Sequence, residues 1–125
     1  MLEVLVVERD PSVARLYHEE LSEAGFAVKV LPDLGVAMCR LESEPALMLV
    51  TDLGSTGERL EAWLPRVRRL HGGPLILLGP APRRLPRDDA QLRLLPKSSD
   101  VRPLIASLRG ECLRMAWSRP GTPSC

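Results

Sequence analysis

Glu8, Arg9 and Asp10 follow directly on the apolar run Val4, Leu5, Val6, Val7; Asp52 closes a second apolar run over 46–51, and Lys97 closes a third over 92–96. Charges at the ends of buried parallel strands gather at one edge of a sheet, so these residues should converge on a single site. A hard cation there would ask for a pair of carboxylates, yet the position after Glu8 is an arginine. A guanidinium within about 4 Å of Asp52 would attract it by roughly 4 kcal/mol at an effective dielectric near 20. It would compete with a metal for that carboxylate and depress its pKa, so Arg9 is expected as a built-in counterion to Asp52. The alternative turns Arg9 to solvent and bends Asp10 back as a ligand, against the competing use of Asp10 as a helix N-cap.

The elements that must carry these groups can be read from periodicity. Residues 2–7 suit a strand buried on both faces. Asp10-Pro11 opens a helix with Val13, Leu16, Tyr17 and Leu21 on one stripe, stopping near Gly25. A strand over 26–31 follows, then a helix capped by Asp33, a strand over 46–51, and a helix striped by Leu60, Trp63, Leu64, Val67 and Leu70 that Pro65 should bend or shorten. Strands over 74–78 and 92–95 flank a stretch whose Pro80, Pro82 and Pro86 leave room for little more than one helical turn. Val101, Leu104, Ile105, Leu108, Cys112 and Met115 line a last helix. The expectation is one α/β domain over 1–118: a doubly wound five-stranded parallel sheet with helices on both faces and an irregular fourth helix, followed by a flexible tail over 119–125.

A net charge of +1 over 125 residues, with one Phe, one Tyr and two Trp, gives neither the basic field nor the stacking platform that nucleic acid requires. Cys39, Cys112 and Cys125 are widely spaced with no C-x-x-C pattern, and His18 and His71 lack metal-ligand spacing, so free thiols and exposed or half-buried histidines are expected. No apolar run approaches the roughly 20 residues of a membrane span, and the start of the chain shows no basic leader, so a cytoplasmic protein is expected. Nucleotide-binding glycine signatures are missing, and Gly54-Ser55-Thr56-Gly57 reads as a flexible connector. The clusters Arg66, Arg68, Arg69, His71 and Arg83, Arg84, Arg87 read as solvated surface balanced by Glu61, Asp88 and Asp89; Trp63 and Trp117 read as packing residues.

With these residues in view, the chain resembles the receiver domain of bacterial response regulators, of the chemotaxis type, over about residues 2–115. Val6-Val7-Glu8-Arg9-Asp10-Pro11 echoes the acid-bearing first strand end, 45–53 echoes the phosphoacceptor strand with Asp52 as acceptor, and Leu94-Leu95-Pro96-Lys97 echoes the lysine strand. The resemblance implies a flavodoxin-like fold with strand order 2-1-3-4-5. It also implies a Mg2+ site built from Glu8, Asp52 and the Gly54 carbonyl, and a phosphoryl contact from Lys97. Lys29 and Lys97 are the only lysines among 17 basic residues, in keeping with a compact point charge at that place.

Four departures from the family pattern remove parts of the switch: Arg9 for the second acid, Gly79 for a Ser or Thr, Leu94 for the switch aromatic, and Ser98 for the proline after the lysine. The resemblance therefore implies a stand-alone atypical receiver in two-component or phosphorelay signalling. It would act as a phosphorylation-independent interaction module rather than an enzyme, with Mg2+ disfavoured by Arg9. Its partners would be a histidine kinase or a downstream signalling protein, and its state a monomer or weak dimer. The alternative is an active single-domain receiver phosphorylated on Asp52 by a partner histidine kinase.

Overall fold

The computed structural model describes residues 3–118. Ten segments follow one another: β1 (Glu3–Val7), α1 (Pro11–Glu23), β2 (Ala27–Leu31), α2 (Leu34–Ser43), β3 (Met48–Asp52), a 3-10 turn (Leu53–Ser55), α3 (Leu60–Leu70), β4 (Leu75–Leu78), β5 (Leu92–Leu95) and α4 (Arg102–Ser118). All strand pairs are parallel and the order is β2-β1-β3-β4-β5, the doubly wound order expected. The tail over 119–125 and the Trp117 side chain lie outside the described residues.

Alternation along the strands divides the core in two. Val4, Val6, Met48, Val50, Ile76 and Leu78 meet Tyr17 and Leu21 of α1 and Leu104 and Leu108 of α4. Leu5, Val7, Leu49, Leu75 and Leu77 meet α2 and the Leu60, Trp63, Leu64, Val67 stripe of α3. Each buried side chain of this size contributes roughly 1.5–3 kcal/mol, and both faces of the central strands are covered, as a parallel sheet requires. Helix α1 starts where Asp10 accepts from the Ser12 and Val13 amides, with Pro11 in its first turn. Asp33 caps α2 through the Val36 amide. Helix α3 runs through Pro65 without being shortened.

The connection from β4 to β5 departs further from expectation. Residues 79–91 contain no helical residue at all. Three prolines remove donors and fix φ there. In place of a helix, the segment is tied to α3 by Arg68, whose guanidinium bonds both Asp89 carboxylate oxygens at 2.7 and 2.9 Å and the Gly73 carbonyl at 2.7 Å. Arg68 is therefore an inter-element clamp, not solvated surface. Its side chain is 19% exposed, against an open position for Arg69 on the same helix.

His71 also differs from a solvent-facing histidine: it is buried, with Nε2 2.9 Å from the Pro74 carbonyl, so the neutral ring carries its proton there. Burial holds its pKa below the ordinary histidine value. The Pro74 carbonyl opposes this, the Arg68 cation reinforces it, and Ala46 opposes it. The unfolded chain binds a proton near pH 6.5 while the folded chain binds it only at lower pH, so unfolding takes up protons between the two. Stability linked to His71 is full above about pH 6.5 and is lost as pH falls toward the folded pKa. The urea midpoint should drop on acidification from about pH 7.5 to about pH 5.5, and His71→Gln, which keeps a donor for Pro74, should flatten that slope. Parallel slopes for the two proteins would contradict the assignment.

Candidate functional site

Register and alternation together assemble the site. Val7 pairs with Thr51, which brings Glu8 alongside Asp52, and Asp52 pairs with Leu78, itself paired with Leu95 two residues before Lys97. Glu8 continues the face of Val4 and Val6, Asp52 that of Met48 and Val50, and Lys97 that of Leu95, so all three lie on the α1/α4 side. Glu8 is 2% and Asp52 4% exposed.

The Lys97 ammonium bridges the two acids, with Nζ 2.8 Å from Glu8 Oε2 and 3.1 Å from Asp52 Oδ2. The Ser55 hydroxyl donates to Asp52 Oδ2 at 2.7 Å, and the Gly54 amide faces Oδ1 at 3.4 Å. The Asp10 amide donates to Glu8 Oε1 at 3.1 Å, and the Arg9 amide donates to Ser55 Oγ at 3.0 Å. Three strand ends are thereby joined in one hydrogen-bonded network.

The charges follow from these contacts. Burial pushes the Asp52 pKa up, but the Ser55 hydroxyl, the Lys97 ammonium and the Gly54 amide outweigh it and hold the carboxyl below its usual range. Burial pushes Lys97 down, and its bonds to Glu8 and Asp52 prevail, raising it. Tyr17 closes the site from α1: burial raises its hydroxyl pKa, Lys97 opposes, and Glu8 and Asp52 add to the rise. Asp52 therefore stays an ion beside the Lys97 ammonium at neutral pH.

Arg9 does not occupy the expected place. Its side chain is exposed and forms no ion pair with Asp52; Lys97 is the counterion. The reason is the two-residue alternation of extended chain, which sends Glu8 to the α1/α4 side and the next residue away from it, leaving only the Arg9 amide in the network. Nor does Asp10 turn back as a ligand, because Oδ1 caps α1 at 2.9 Å from the Ser12 amide.

Ser55, which sequence reading left in a flexible connector, is a buried member of the site. The signal was present in the Asp52-to-Ser55 spacing: one tight turn after a strand end returns residue i+3 to the side chain of residue i. Gly79 has φ +141°, and a Cβ there would lie 3.3 Å from Leu53 Cβ. A hydroxyl side chain at that position meets both backbone strain and the Leu53 side chain. Leu94 packs against the α3-side core, and Ser98 Oγ accepts the Asp100 amide at 3.0 Å.

Mg2+ requires near-octahedral oxygen donors, and the donor set does not fit it. Each carboxylate oxygen of Glu8 and Asp52 already faces an N–H, O–H or ammonium donor, and Lys97 stands within bonding distance of both acids. With Arg9 turned outward, the misfit comes from Lys97, which stands between the two acids, rather than from the guanidinium.

Removing one partner of a buried ion pair costs about 3–5 kcal/mol; Lys97 is about a third exposed, so Lys97→Met should cost roughly 2–4 kcal/mol after solvent screening. The variant leaves two buried carboxylates together, which raises a carboxyl pKa above its unfolded value, so its stability should recover as pH falls toward about 5. The wild type behaves oppositely: the Asp52 contribution is present above about pH 3.9 and is lost as pH falls through the depressed folded value. Urea titrations of both proteins across this range check the crossing slopes, and equal slopes would remove Lys97 from the network.

No protein-family model matches the chain, and no curated protein matches it. Solved structures do. A two-component response regulator from Clostridium difficile superposes with a TM-score of 0.76 at 13% identity, covering 92% of this chain and 98% of that one. The response regulator TrrA of Thermotoga maritima, solved in complex with the histidine kinase ThkA, gives 0.73 at 20% identity over 89% and 98% of the two chains. The pseudo-receiver domain of CikA gives 0.65 at 24% identity over 90% and 98%. The strand order, the helices on both faces and these superpositions together give the chain the fold of response-regulator receiver domains.

Proposed function

We propose that the chain is an atypical receiver-type module of two-component signalling that binds other signalling proteins without a phosphorylation switch. One observation carries the reading: Lys97 bridges Glu8 and Asp52 and supplies the positive charge that both carboxylates need. The acceptor carboxylate is thereby held ionised, hydrogen-bonded and close to a cation with no metal in its coordination.

Phosphoryl transfer depends on positioning and charge stabilisation at the transferring group. Gly79 offers no hydroxyl to such a group, Leu94 is aliphatic and packed into the α3-side core, and Ser98 is engaged in the turn before α4. Arg9 leaves the edge with Glu8 and Asp52 as its acids, which disfavours a bound Mg2+. The module has no reaction of its own, resides in the cytoplasm, and takes as partner a histidine kinase or a downstream signalling protein. The complex of TrrA with ThkA, a relative in fold, supports this class of partner, and the pseudo-receiver domain of CikA is a further relative in fold.

The competing reading makes Asp52 a phosphoacceptor assisted by Lys97 and Glu8, as its place at the end of β3 would allow. Acetyl phosphate with Mg2+, followed by intact-mass analysis and peptide mapping, separates the two. The unmodified mass should persist, with Asp52→Asn indistinguishable from wild type. A stoichiometric phosphoryl adduct on Asp52 would overturn the proposal.

A further inference from the structure

The connection over 79–91 presents a group of cations that nothing in the fold uses. Arg83, Arg84 and Arg87 are exposed and form no ion pair with a described acid. Of the two acids that follow, Asp88 is exposed and forms no ion pair with them, and Asp89 is engaged by both arms of Arg68. Leu85, 39% exposed, stands between them in sequence. With Pro82, Leu85 and Pro86 these arginines line an open hollow of ≈ 620 Å³; the neighbouring groove against α3 is walled by Asp88 and Asp89 and does not share this charge.

This segment is also held in shape. Pro80, Pro82 and Pro86 fix three backbone φ angles, and the Arg68 clamp pins its far end at Asp89. A surface ordered before binding loses less conformational entropy when a partner arrives. Three unpaired guanidiniums around an apolar side chain complement an acidic segment that carries an apolar residue.

Other occupants fit less well. Tyr17, Phe26 and Trp63 are buried, so no described aromatic side chain is free to stack on a base. One exposed leucine gives little apolar area for insertion into a lipid surface.

We infer that the hollow lined by Arg83, Arg84, Leu85 and Arg87 is a docking surface for an acidic, leucine-bearing segment of a partner protein. This deepens the interaction-module reading and rests on it.

The test is fluorescence anisotropy with a labelled short peptide of Glu, Asp and Leu, using protein never exposed to a phosphodonor. Parallel arms use a Lys/Leu peptide, a short single-stranded RNA and phosphatidylserine vesicles. The acidic peptide should bind alone. Its affinity should fall about tenfold in Arg83→Ala/Arg84→Ala/Arg87→Ala, severalfold in Leu85→Ala, and steadily as salt rises from about 50 to about 300 mM. Arg84→Glu alone should weaken binding too, and circular dichroism melts should match wild type because these side chains are exposed. No binding of the acidic peptide, equal binding by the wild type and the triple variant, or tighter binding of RNA or vesicles would overturn the inference. Arginine-dependent binding supports the surface even if Asp52 proves phosphorylatable, in which case only the phosphorylation-independent reading falls.

Discussion

The Lys97 ammonium between Glu8 and Asp52 is the constraint around which the rest of the site is arranged. Two buried carboxylates at adjacent strand ends repel each other and lose hydration, and the sheet register gives them no freedom to separate. A positive charge between them therefore stabilises the folded chain as well as shaping the site. The lysine arrives from β5, so its position depends on every strand pairing from β1 through β3 and β4 outward. Ser55 and the Gly54 amide then complete the solvation of Asp52 from within the chain.

Similar logic places other buried or half-buried charges at junctions between elements. Glu111 of α4 is 1% exposed and receives Arg93 of β5 at 3.1 Å, joining the last helix to the edge strand. Arg68 of α3 holds Asp89, just before β5. These pairs tether β5 where the helical crossover preceding it is missing. Ion pairs in such places fix geometry more than they add net stability. The resulting anchoring keeps Lys97 in reach of Asp52 while leaving residues 80–88 at the surface.

Much of the architecture was legible because its signals are local. Val/Leu runs, the Asp10 and Asp33 caps and the α3 stripe fall where the strands and helices form; the alternation of strands and helices implies a parallel sheet, and the order of its strands came from the family resemblance. Convergence of Glu8, Asp52 and Lys97 was legible for the same reason, since strand ends share an edge. The direction of Arg9 was misjudged because adjacency in sequence was weighed above the alternation of side chains, which opposes neighbours. Ser55 was missed because a glycine-bounded loop looks flexible until the tight turn behind Asp52 is seen. The roles of Arg68 and His71 depend on Asp89, Gly73 and Pro74 folding over them, partners that charge counting along the chain does not identify.

The central claim is that Lys97 satisfies the acids that a metal would otherwise need. Amide-resolved NMR titration with Mg2+, run on the wild type and on Lys97→Met, tests it most directly. The account predicts no saturable shift at Glu8, Asp52 or Gly54 of the wild type at millimolar Mg2+, and the appearance of one when the ammonium is removed. Saturable low-millimolar binding at those three residues in the wild type would contradict it.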